Sequence, residues 1–513
     1  IVLPHGVLFR GGEEGEIRKN LIEKNNIDAI IGLPANIFFG TGIPTIVMVL
    51  RKDRDNDDVL FVDASKGFAK VGKNNQLRAR DIRKIVDAVT ERREIPKFSR
   101  RVSRDIIREN EYNLNIPRYV NSAEADEQWD IYATMFGGIP NNELDAFAPI
   151  WTKFPSLRAE LFRDLGNGYS ELIPSLDNLR SVISDNAEVR SFNERYADAI
   201  ASVGRSLDVH LIERLQEPDF VASLNPQQYL SALTAILFDQ VKPFTLIDKY
   251  AAYQVFTEHW AQISGDLEII HSEGLVAANA VDDNMVVKKK DGKDVEVKDG
   301  EVGRIIPIEL VERVMLADEL AAVDADRIAL EAVRSHIAEI IESLPEAEGE
   351  TPWLKDDGSA FVPNELKAKV KKIKQEYGTQ APEDSLEAML LDADTSLDIE
   401  KKQKAKFKEA LTKLTVKAIE TIESLTTNEI ITLLKAKWSE PLNDALINVD
   451  SQLFYDFSAQ LTSLSEKYSE TLVDIDNSIT SAEKSLAFLI DNLTGSDNDM
   501  AGLREFQKLL RHE

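Results

Sequence analysis

The first 65 residues alternate between short apolar runs and one amphipathic segment. Ile27–Leu33 is an apolar run closed by Pro34, Thr45–Leu50 is a continuous β-branched run, and Leu60–Asp63 is a third apolar run. Glu13–Glu23 has acidic residues in its first turn and apolar residues at helical spacing. This strand–helix–strand order predicts an α/β segment, a Rossmann-like or related doubly wound remnant.

Helical periodicity replaces the strand pattern over residues 121–284, which we predict to be a helical region. Its aromatic anchors are Trp129, Trp151, Phe154, Tyr253, Phe256 and Trp260. Residues 285–306 then alternate around Asp291-Gly292, and Asp299-Gly300 follows. Alternation around an Asp-Gly pair predicts a small exposed β-hairpin over 285–306.

From residue 307 to residue 513 the pattern predicts a helical bundle or coiled-coil tail for subunit assembly. Leu310–Leu344 reads as one helix of about nine turns. After acidic, proline-containing linkers, helices resume at Asn364–Tyr377, at Leu397–Leu425 and through 428–494. The first helix carries an apolar stripe that a hairpin cannot bury, so we expect a helical partner to cover it. The stripe includes Leu310, Val314, Leu320 and Leu330.

Composition excludes several classes of site. The 513 residues include no cysteine, which excludes disulfides, cysteine zinc sites and thiol nucleophiles. None of the six histidines is spaced from another like a metal ligand, so we predict no metal site. No apolar run reaches the roughly 18 residues of a membrane span, and we expect a soluble cytoplasmic protein.

Charge is distributed unevenly along the chain. The total is 61 basic against 89 acidic residues, a net charge of −28. Residues 1–120 hold 22 Lys/Arg and 17 Asp/Glu, a net of +5, which leaves −33 for the remaining 393 residues. Because binding follows local fields, the first segment can face a polyanion although the chain as a whole is acidic.

Two glycine-rich stretches are candidate phosphate cradles, Gly40-Thr41-Gly42 and Gly166-Asn167-Gly168. Neither completes a dinucleotide-binding or P-loop motif, and neither joins a strand directly to a helix. We therefore predict that both are turns.

Three separate motifs lie in order within the first 120 residues: LPHGVLFRGG at Leu3–Gly12, GLPANIFFGTGIPT at Gly32–Thr45 and EYNLNIPRY at Glu111–Tyr119. Together they resemble the modification (M) subunit of type I restriction–modification systems, which are adenine-N6 DNA methyltransferases. Leu246–Tyr250, with Tyr253-Gln254 and Trp260 beyond it, resembles the helical C-terminal region of that family more weakly.

The resemblance implies a cofactor, partners and a substrate. Family members use S-adenosylmethionine, assemble with a specificity (S) subunit and a restriction (R) subunit, and act on double-stranded DNA with a flipped adenine. The S subunit supplies the sequence recognition in this family, and its coiled-coil helices would pair with the long helices here.

The family's Asn-Pro-Pro-Phe motif and glycine-rich cofactor loop are both missing from the sequence, which has no Pro-Pro pair. The chain opens directly on the strand-like Ile1–Leu3. We therefore expect a C-terminal portion of an M subunit, with residues 1–120 forming the end of the catalytic domain. It should hold no catalytic and no cofactor-binding residue and be inactive by itself. Two alternatives stay open: a methyltransferase-derived scaffold that binds DNA or a partner without catalysis, and a helical assembly protein with a vestigial α/β cap.

The resemblance also assigns one residue to the target base. In related adenine methyltransferases an aromatic residue just before a strand, five residues ahead of an aliphatic residue, stacks on the flipped base. Phe38 fits that place, with Ile43 and the Thr45–Leu50 strand after it, and Phe39 is the second choice. Without the family, the adjacent Phe38-Phe39 pair before a strand favours buried core residues over a base-binding role.

The chain's basic residues are concentrated between the second and third of these motifs, where an apolar stripe runs among them. We predict DNA phosphate contacts from Arg78, Arg80, Arg83, Lys84, Arg92 and Arg93. Phosphate contacts supply salt-dependent affinity without reading sequence. The alternative is a solvated helix face.

Overall fold

The chain divides into two compact units in the computed structural model, which describes residues 1–38, 42–123, 128–290, 293–345, 351–355, 357–378, 381–382 and 385–511. The first unit joins Ile1–Arg205, Leu230–Ala261 and Leu442–Glu513, and the second joins Ser206–Tyr229 and Gln262–Pro441. The units are therefore assembled from interleaved stretches. The sequence pattern, in contrast, predicted consecutive regions with boundaries after residues 120, 284 and 306.

The first unit begins with the predicted α/β segment. Its strands are β1 (Val2–Pro4), β2 (Ile27–Gly32), β3 (Thr45–Leu50), β4 (Val59–Asp63), β5 (Ala69–Val71), β6 (Asn74–Gln76) and β7 (Ser99–Val102). Its helices are α1 (Glu13–Glu23), α2 (Ala79–Thr90) and α3 (Arg104–Glu109). The predicted helix at Glu13–Glu23 and the predicted strand at Thr45–Leu50 are confirmed to the residue.

Five of these strands form one sheet in the order β1-β3-β2-β4-β7. β2 and β4 pair in parallel, whereas β1–β3, β2–β3 and β4–β7 are antiparallel. Doubly wound sheets are dominated by parallel strands, so the described sheet is more mixed than the sequence led us to expect. The reason is the connection after β2: without a crossover helix, the chain can only return beside β2 as an antiparallel strand.

Both faces of the sheet are covered, as the continuous apolar runs predicted. Neighbouring residues of β4 point to opposite sides, with Phe61 packed among one set of buried residues and Leu60 among another. Ile22 of α1 and Ile107 of α3 belong to the first set, and Ile85 of α2 belongs to the second. The sheet is thus a central layer between helices.

Helices follow, together with short strands that the sequence did not indicate. The helices are α4 (Ile131–Phe136), α5 (Asn141–Leu144), α6 (Ala148–Lys153), α7 (Pro155–Leu161), α8 (Leu179–Asp185), α9 (Ala187–Leu207), α10 (Pro218–Ala222), α11 (Pro226–Val241) and α12 (Lys249–Glu273). The strands β8 (Ile139–Pro140), β9 (Phe162–Gly166) and β10 (Tyr169–Leu172) form a small sheet in the order β8-β10-β9. Gly166, Asn167 and Gly168 all have positive φ and turn β9 into β10, so the predicted turn is confirmed.

The second unit contains the predicted hairpin. It is formed by β11 (Val281–Lys290) and β12 (Lys293–Gly303), so it begins earlier than residue 285. Asp291-Gly292, the predicted turn, lies outside the described residues. Helices α13 (Ile308–Val314), α14 (Ala317–Ser343), α15 (Pro363–Tyr377), α16 (Leu386–Glu423) and α17 (Thr427–Leu434) follow.

The apolar stripe after residue 307 is partly covered within the chain. The predicted single helix Leu310–Leu344 is two helices, α13 and α14, and both pack against the 38-residue α16. Leu310 and Leu330 are buried. Val314 is exposed and Leu320 is partly buried, so α16 covers this stripe only in part and the expected outside partner stays a prediction.

The last helices, α18 (Glu440–Lys467), α19 (Leu472–Asp491) and α20 (Asp497–Leu510), belong mainly to the first unit. Phe457 of α18 lies between Phe147 and Trp151, with ring centroids 5.4 Å from each. The Tyr196 hydroxyl donates to the backbone oxygen of Leu446 at 3.0 Å. Residues 307–513 are consequently not one separable tail.

Candidate functional site

The carboxyl ends of three strands meet at one edge of the main sheet. β1 and β2 are each antiparallel to β3, and β2 is parallel to β4, so β1, β2 and β4 point the same way. His5, Leu33 and Ala64 directly follow these strands. Ligands of α/β sheets bind at such an edge, and we call it the carboxyl edge.

Phe38 lies in the loop that leaves this edge after β2. Its side chain is 43% exposed, so it does not plug the core. The preceding turn is fixed by Asn75, whose side chain donates to the backbone oxygen of Ala35 at 2.8 Å and whose backbone N–H donates to that of Asn36 at 2.9 Å. Phe39, Gly40 and Thr41 lie outside the described residues.

His5 borders the same edge. Its backbone N–H donates to the backbone oxygen of Pro44 at 3.1 Å, and its ring meets Phe9 edge-on with the centroids 5.7 Å apart. Burial lowers the pKa of His5, and the negative charge of Asp63 opposes the shift. The imidazole is therefore mainly uncharged at neutral pH.

A cavity of about 310 Å³ opens beside the end of β4 and the start of α2. We call it the β4–α2 cavity. Its charged lining residues are Lys66, Arg78, Arg80, Lys84, Lys97, Asp63 and Asp81. Among the described lining residues there are five cations and two carboxylates, so this part of the lining is positive. Three of the cations, Arg78, Arg80 and Lys84, belong to the predicted phosphate set.

Two of these cations also form contacts that stabilise neighbouring elements. Arg78 caps α2: its Nε donates to Asp81 Oδ2 at 2.8 Å, and this hydrogen bond raises the pKa of Arg78. Arg80 Nη2 pairs with Asp248 at 2.7 Å. Gln254 Oε1 accepts the backbone N–H of Arg80 at 2.9 Å, which satisfies a donor in the first turn of α2.

Arg83 and Arg93 lie elsewhere, along a second cavity of about 380 Å³. Arg83 Nε donates to Asp87 Oδ1 at 2.7 Å, and its guanidinium stands 5.1 Å from the ring centroid of Phe238. Tyr250 also donates to Asp87, at 3.1 Å. Arg93 pairs with Glu91. This face of α2 is a packing surface for α11 and α12, which explains the residues around 246–254 that the sequence singled out.

Arg92 is at the opposite edge of the sheet. It donates to Asp28 Oδ1 at 2.5 Å and to Asp58 Oδ1 at 2.7 Å. Arg54 joins the same group, 3.1 Å from Asp28 Oδ1. The six residues predicted to contact DNA phosphates therefore lie in three separate places. Arg92 belongs to a structural hydrogen-bond network with Asp28 and Asp58.

Lys66 and Lys97 line the β4–α2 cavity but were absent from the predicted set. Each sits in a turn, where helical spacing gives no signal, and their shared location follows from the pairing of β4 with β7. Within the described part of the chain, no group of three or more His, Asp or Glu could hold a metal ion. No described helix is long and apolar enough to cross a membrane.

Residues 1–128 match the family model described as N-6 DNA Methylase. The type I restriction enzyme MpnII methylase subunit of Mycoplasma pneumoniae is 44% identical over 132 residues, covering 26% of this chain and 24% of that protein. The type I restriction enzyme MjaVII methylase subunit of Methanocaldococcus jannaschii is 43% identical over 137 residues, with coverages of 26% and 24%.

A solved structure is similar in sequence over a comparable length. The type I restriction-modification system methyltransferase subunit from Streptococcus thermophilus is 56% identical where it aligns, which covers 24% of this chain and 26% of that chain, with a TM-score of 0.24. The chain thus spans about a quarter of the length of the curated relatives it matches.

Proposed function

We propose that this chain is part of the DNA-methylating subunit of a type I restriction–modification enzyme, because residues 1–128 match the N-6 DNA methylase family. In this proposal the complete enzyme works in the cytoplasm and transfers a methyl group from S-adenosylmethionine to N6 of adenine in DNA. Residues 1–120 then form the end of a Rossmann-like methyltransferase domain. The alternative is a methyltransferase-derived scaffold that binds DNA or a partner without catalysis.

The observation that carries the proposal is the placement of Phe38. Adenine N6 is inaccessible to the chemistry inside the base stack, so the base must be flipped out of the duplex and held. An exposed phenyl ring beside the carboxyl edge can stack on such a base, which is worth roughly 1–3 kcal/mol. Phe39 remains the second choice for this role.

The test is Phe38→Ala in the complete enzyme. We expect methylation per folded molecule to fall about fivefold or more, because the lost stacking is worth at least about 1 kcal/mol and a tenfold change needs about 1.4 kcal/mol. The melting temperature should change little, because Phe38 is 43% exposed. Methyl transfer to duplex DNA and thermal unfolding are the two measurements.

Phe136→Ala is the matched control, since Phe136 is exposed on α4, away from the carboxyl edge. It should leave methylation unchanged. If Phe38→Ala unfolds the protein while activity per folded molecule persists, Phe38 is structural. A complete enzyme that methylates no adenine in DNA would favour the scaffold alternative.

The β4–α2 cavity does not fit S-adenosylmethionine. Its lining is cationic, and the methyl-bearing sulfonium of the cofactor is itself positive. Asp63, the carboxylate at the end of β4, already accepts from Ser122 Oγ at 2.5 Å and from the backbone N–H of Ser65 at 3.0 Å. We infer that this chain has no catalytic residue and by itself binds no cofactor and is inactive. A 1:1 complex with S-adenosylmethionine in calorimetry would contradict this.

Phosphate contacts of double-stranded DNA are assigned to the basic residues around α2. Arg78, Arg80 and Lys84 are favoured because they line a positive cavity at the carboxyl edge. Arg83 and Arg93 face α11 and α12, and Arg92 is held by Asp28 and Asp58. These three would contribute through the local field more than through contact.

The proposed protein partners are the S subunit and the R subunit. α19 carries apolar or small residues at alternating spacings of four and three, which is the repeat of a coiled-coil seam. They are Ile475, Ile479, Ala482, Leu486 and Leu489, and all are exposed. A neighbouring face of α19 is covered by α20, where Gln507 donates to the backbone oxygen of Ala487 at 2.7 Å. We place the contact with the S subunit's helices on this seam.

Leu486→Glu with Leu489→Glu should abolish co-purification with the S subunit, because charges at a and d positions cannot be buried in a seam. Ile328→Glu, at a residue 59% exposed on α14, is the control and should co-purify normally. Both variants should remain folded. Normal assembly of the double variant would place the S subunit elsewhere.

A further inference from the structure

Two lysines that line the β4–α2 cavity are not neutralised by any carboxylate of the described residues. Arg78 is paired with Asp81, and Arg80 is paired with Asp248. Lys84 and Lys97 have no carboxylate partner in the part of the chain that the structure describes. Lys84 Nζ stands 4.4 Å from the ring centroid of Phe98, and Lys66 Nζ donates to the backbone oxygen of Ser122 at 2.6 Å. Uncompensated cations in a recess favour an anionic ligand.

Lys97 has a backbone conformation that residues other than glycine rarely adopt. Its φ is +60°, in the left-handed region, which costs a non-glycine residue roughly 1 kcal/mol. The turn is fixed on both sides: Ser99 N–H donates to the oxygen of Ile95 at 2.9 Å, and Asp63 N–H donates to that of Phe98 at 2.8 Å. Glycine would fit this position with less strain, so stability does not account for a lysine here.

The start of α2 adds to the positive field. Ala79 opens the helix at the cavity, and the positive end of a helix dipole favours an anion near its first turn. β2 and β4 are neighbouring parallel strands, about 4.8 Å apart, so the cavity and the loop with Phe38 share one edge. An anion in the cavity would thus lie on the same side as a base stacked on Phe38.

We propose that the β4–α2 cavity is the binding site of one phosphodiester of the DNA backbone, held by Lys84 and Lys97, with Arg80 next to it. Lysine suits this role because its ammonium acts as a strongly hydrated point charge that needs no planar partner. The phosphate site fixes the strand next to the base that Phe38 receives, and it reads no sequence. This inference rests on the proposed function.

The test compares the salt dependence of duplex binding by this chain with that of Lys84→Gln/Lys97→Gly. The slope of log K against log [salt] reports the phosphates neutralised, at about 0.9 each for a duplex. We expect the double variant to lower the magnitude of the slope by about 1 and to weaken binding uniformly across DNA sequences. Fluorescence anisotropy with a labelled duplex, from low to physiological salt, measures both quantities.

The charge-matched control is Lys24→Gln/Lys52→Gln. Both lysines are exposed at the opposite edge of the same sheet, after α1 and after β3. The control should keep the wild-type slope. Lys97→Gly should keep or raise the melting temperature, so weaker binding cannot be ascribed to unfolding.

Two results would contradict the proposed phosphate site while leaving DNA binding intact. One is an unchanged salt slope in the double variant. The other is an equal decrease of the slope in the control variant, which would indicate a diffuse electrostatic field. A wild-type chain that retains no duplex even at low salt would instead refute DNA binding, and the phosphate site with it.

Discussion

Phe457→Ala is expected to lower the free energy of unfolding of the first unit by about 3–5 kcal/mol, the usual cost of removing a buried phenyl ring. Phe457 is 2% exposed and packs between Phe147 and Trp151. The lost ring would leave a cavity at the junction of two segments some 300 residues apart in sequence, and neither segment can close it by itself. Chemical denaturation followed by tryptophan fluorescence measures the effect.

Tyr455→Ala is the control on the same helix. Tyr455 is exposed and lies under Arg180, with the guanidinium 4.3 Å from its ring centroid. Losing that contact costs about 0.5–1 kcal/mol. If both variants lose the same stability, α18 does not belong to the core of the first unit. The same packing means that deleting residues 307–513 would damage the first unit as well as remove a partner surface.

Arg54→Met should cost about 3 kcal/mol, because it leaves a buried carboxylate short of one cation. The side chain of Arg54 is 1% exposed. It donates to the backbone oxygen of Ile27 at 2.5 Å and also to that of Asp58. Burial lowers the pKa of the Arg54 guanidinium, and the charge of Asp28 raises it. Thermal and denaturant unfolding of the whole chain are the measurements.

Arg51→Met tests the same carboxylate from the solvent side. Arg51 lies 3.8 Å from Asp28 but is 69% exposed, so its loss should cost less than about 1 kcal/mol. Equal losses from the two variants would show that burial of Arg54 does not set the energy. A near-neutral Arg54→Met would show that Arg92 suffices for Asp28.

Local signals explain what the sequence predicts well. The helix at Glu13–Glu23 and the strand at Thr45–Leu50 depend on residues within one element, and both are confirmed. The pairing of strands, the small sheet around Gly166-Asn167-Gly168 and the burial of Leu330 against α16 depend on which distant segments meet. No periodicity within a window carries that information.

The predictions for the candidate site also differ in whether they depend on local sequence or on distant residues. Phe38 was assigned to the target base through the family resemblance of its motif, and this role stays a prediction; the structure leaves its side chain exposed. The basic residues near α2 look alike in sequence, yet Arg92 meets Asp28 and Asp58, Arg83 meets Phe238, and Lys84 faces the cavity. Their partners lie between 34 and 155 positions away, so only the fold separates structural cations from available ones.

The interleaving of the first unit also sets an order of events during synthesis. The Tyr196 hydroxyl can form its hydrogen bond to Leu446 only after the ribosome has added 250 more residues. At about 5–20 residues per second the delay is roughly 12–50 s. Throughout that interval the nascent chain presents Trp151, Phe154 and Phe192 without α18, and all residues of the second unit are synthesised before α18 is complete. The last 72 residues therefore complete the aromatic core of the first unit. A chain whose synthesis stalls before this segment, or that loses it by cleavage, leaves these aromatic side chains exposed to chaperones and proteases.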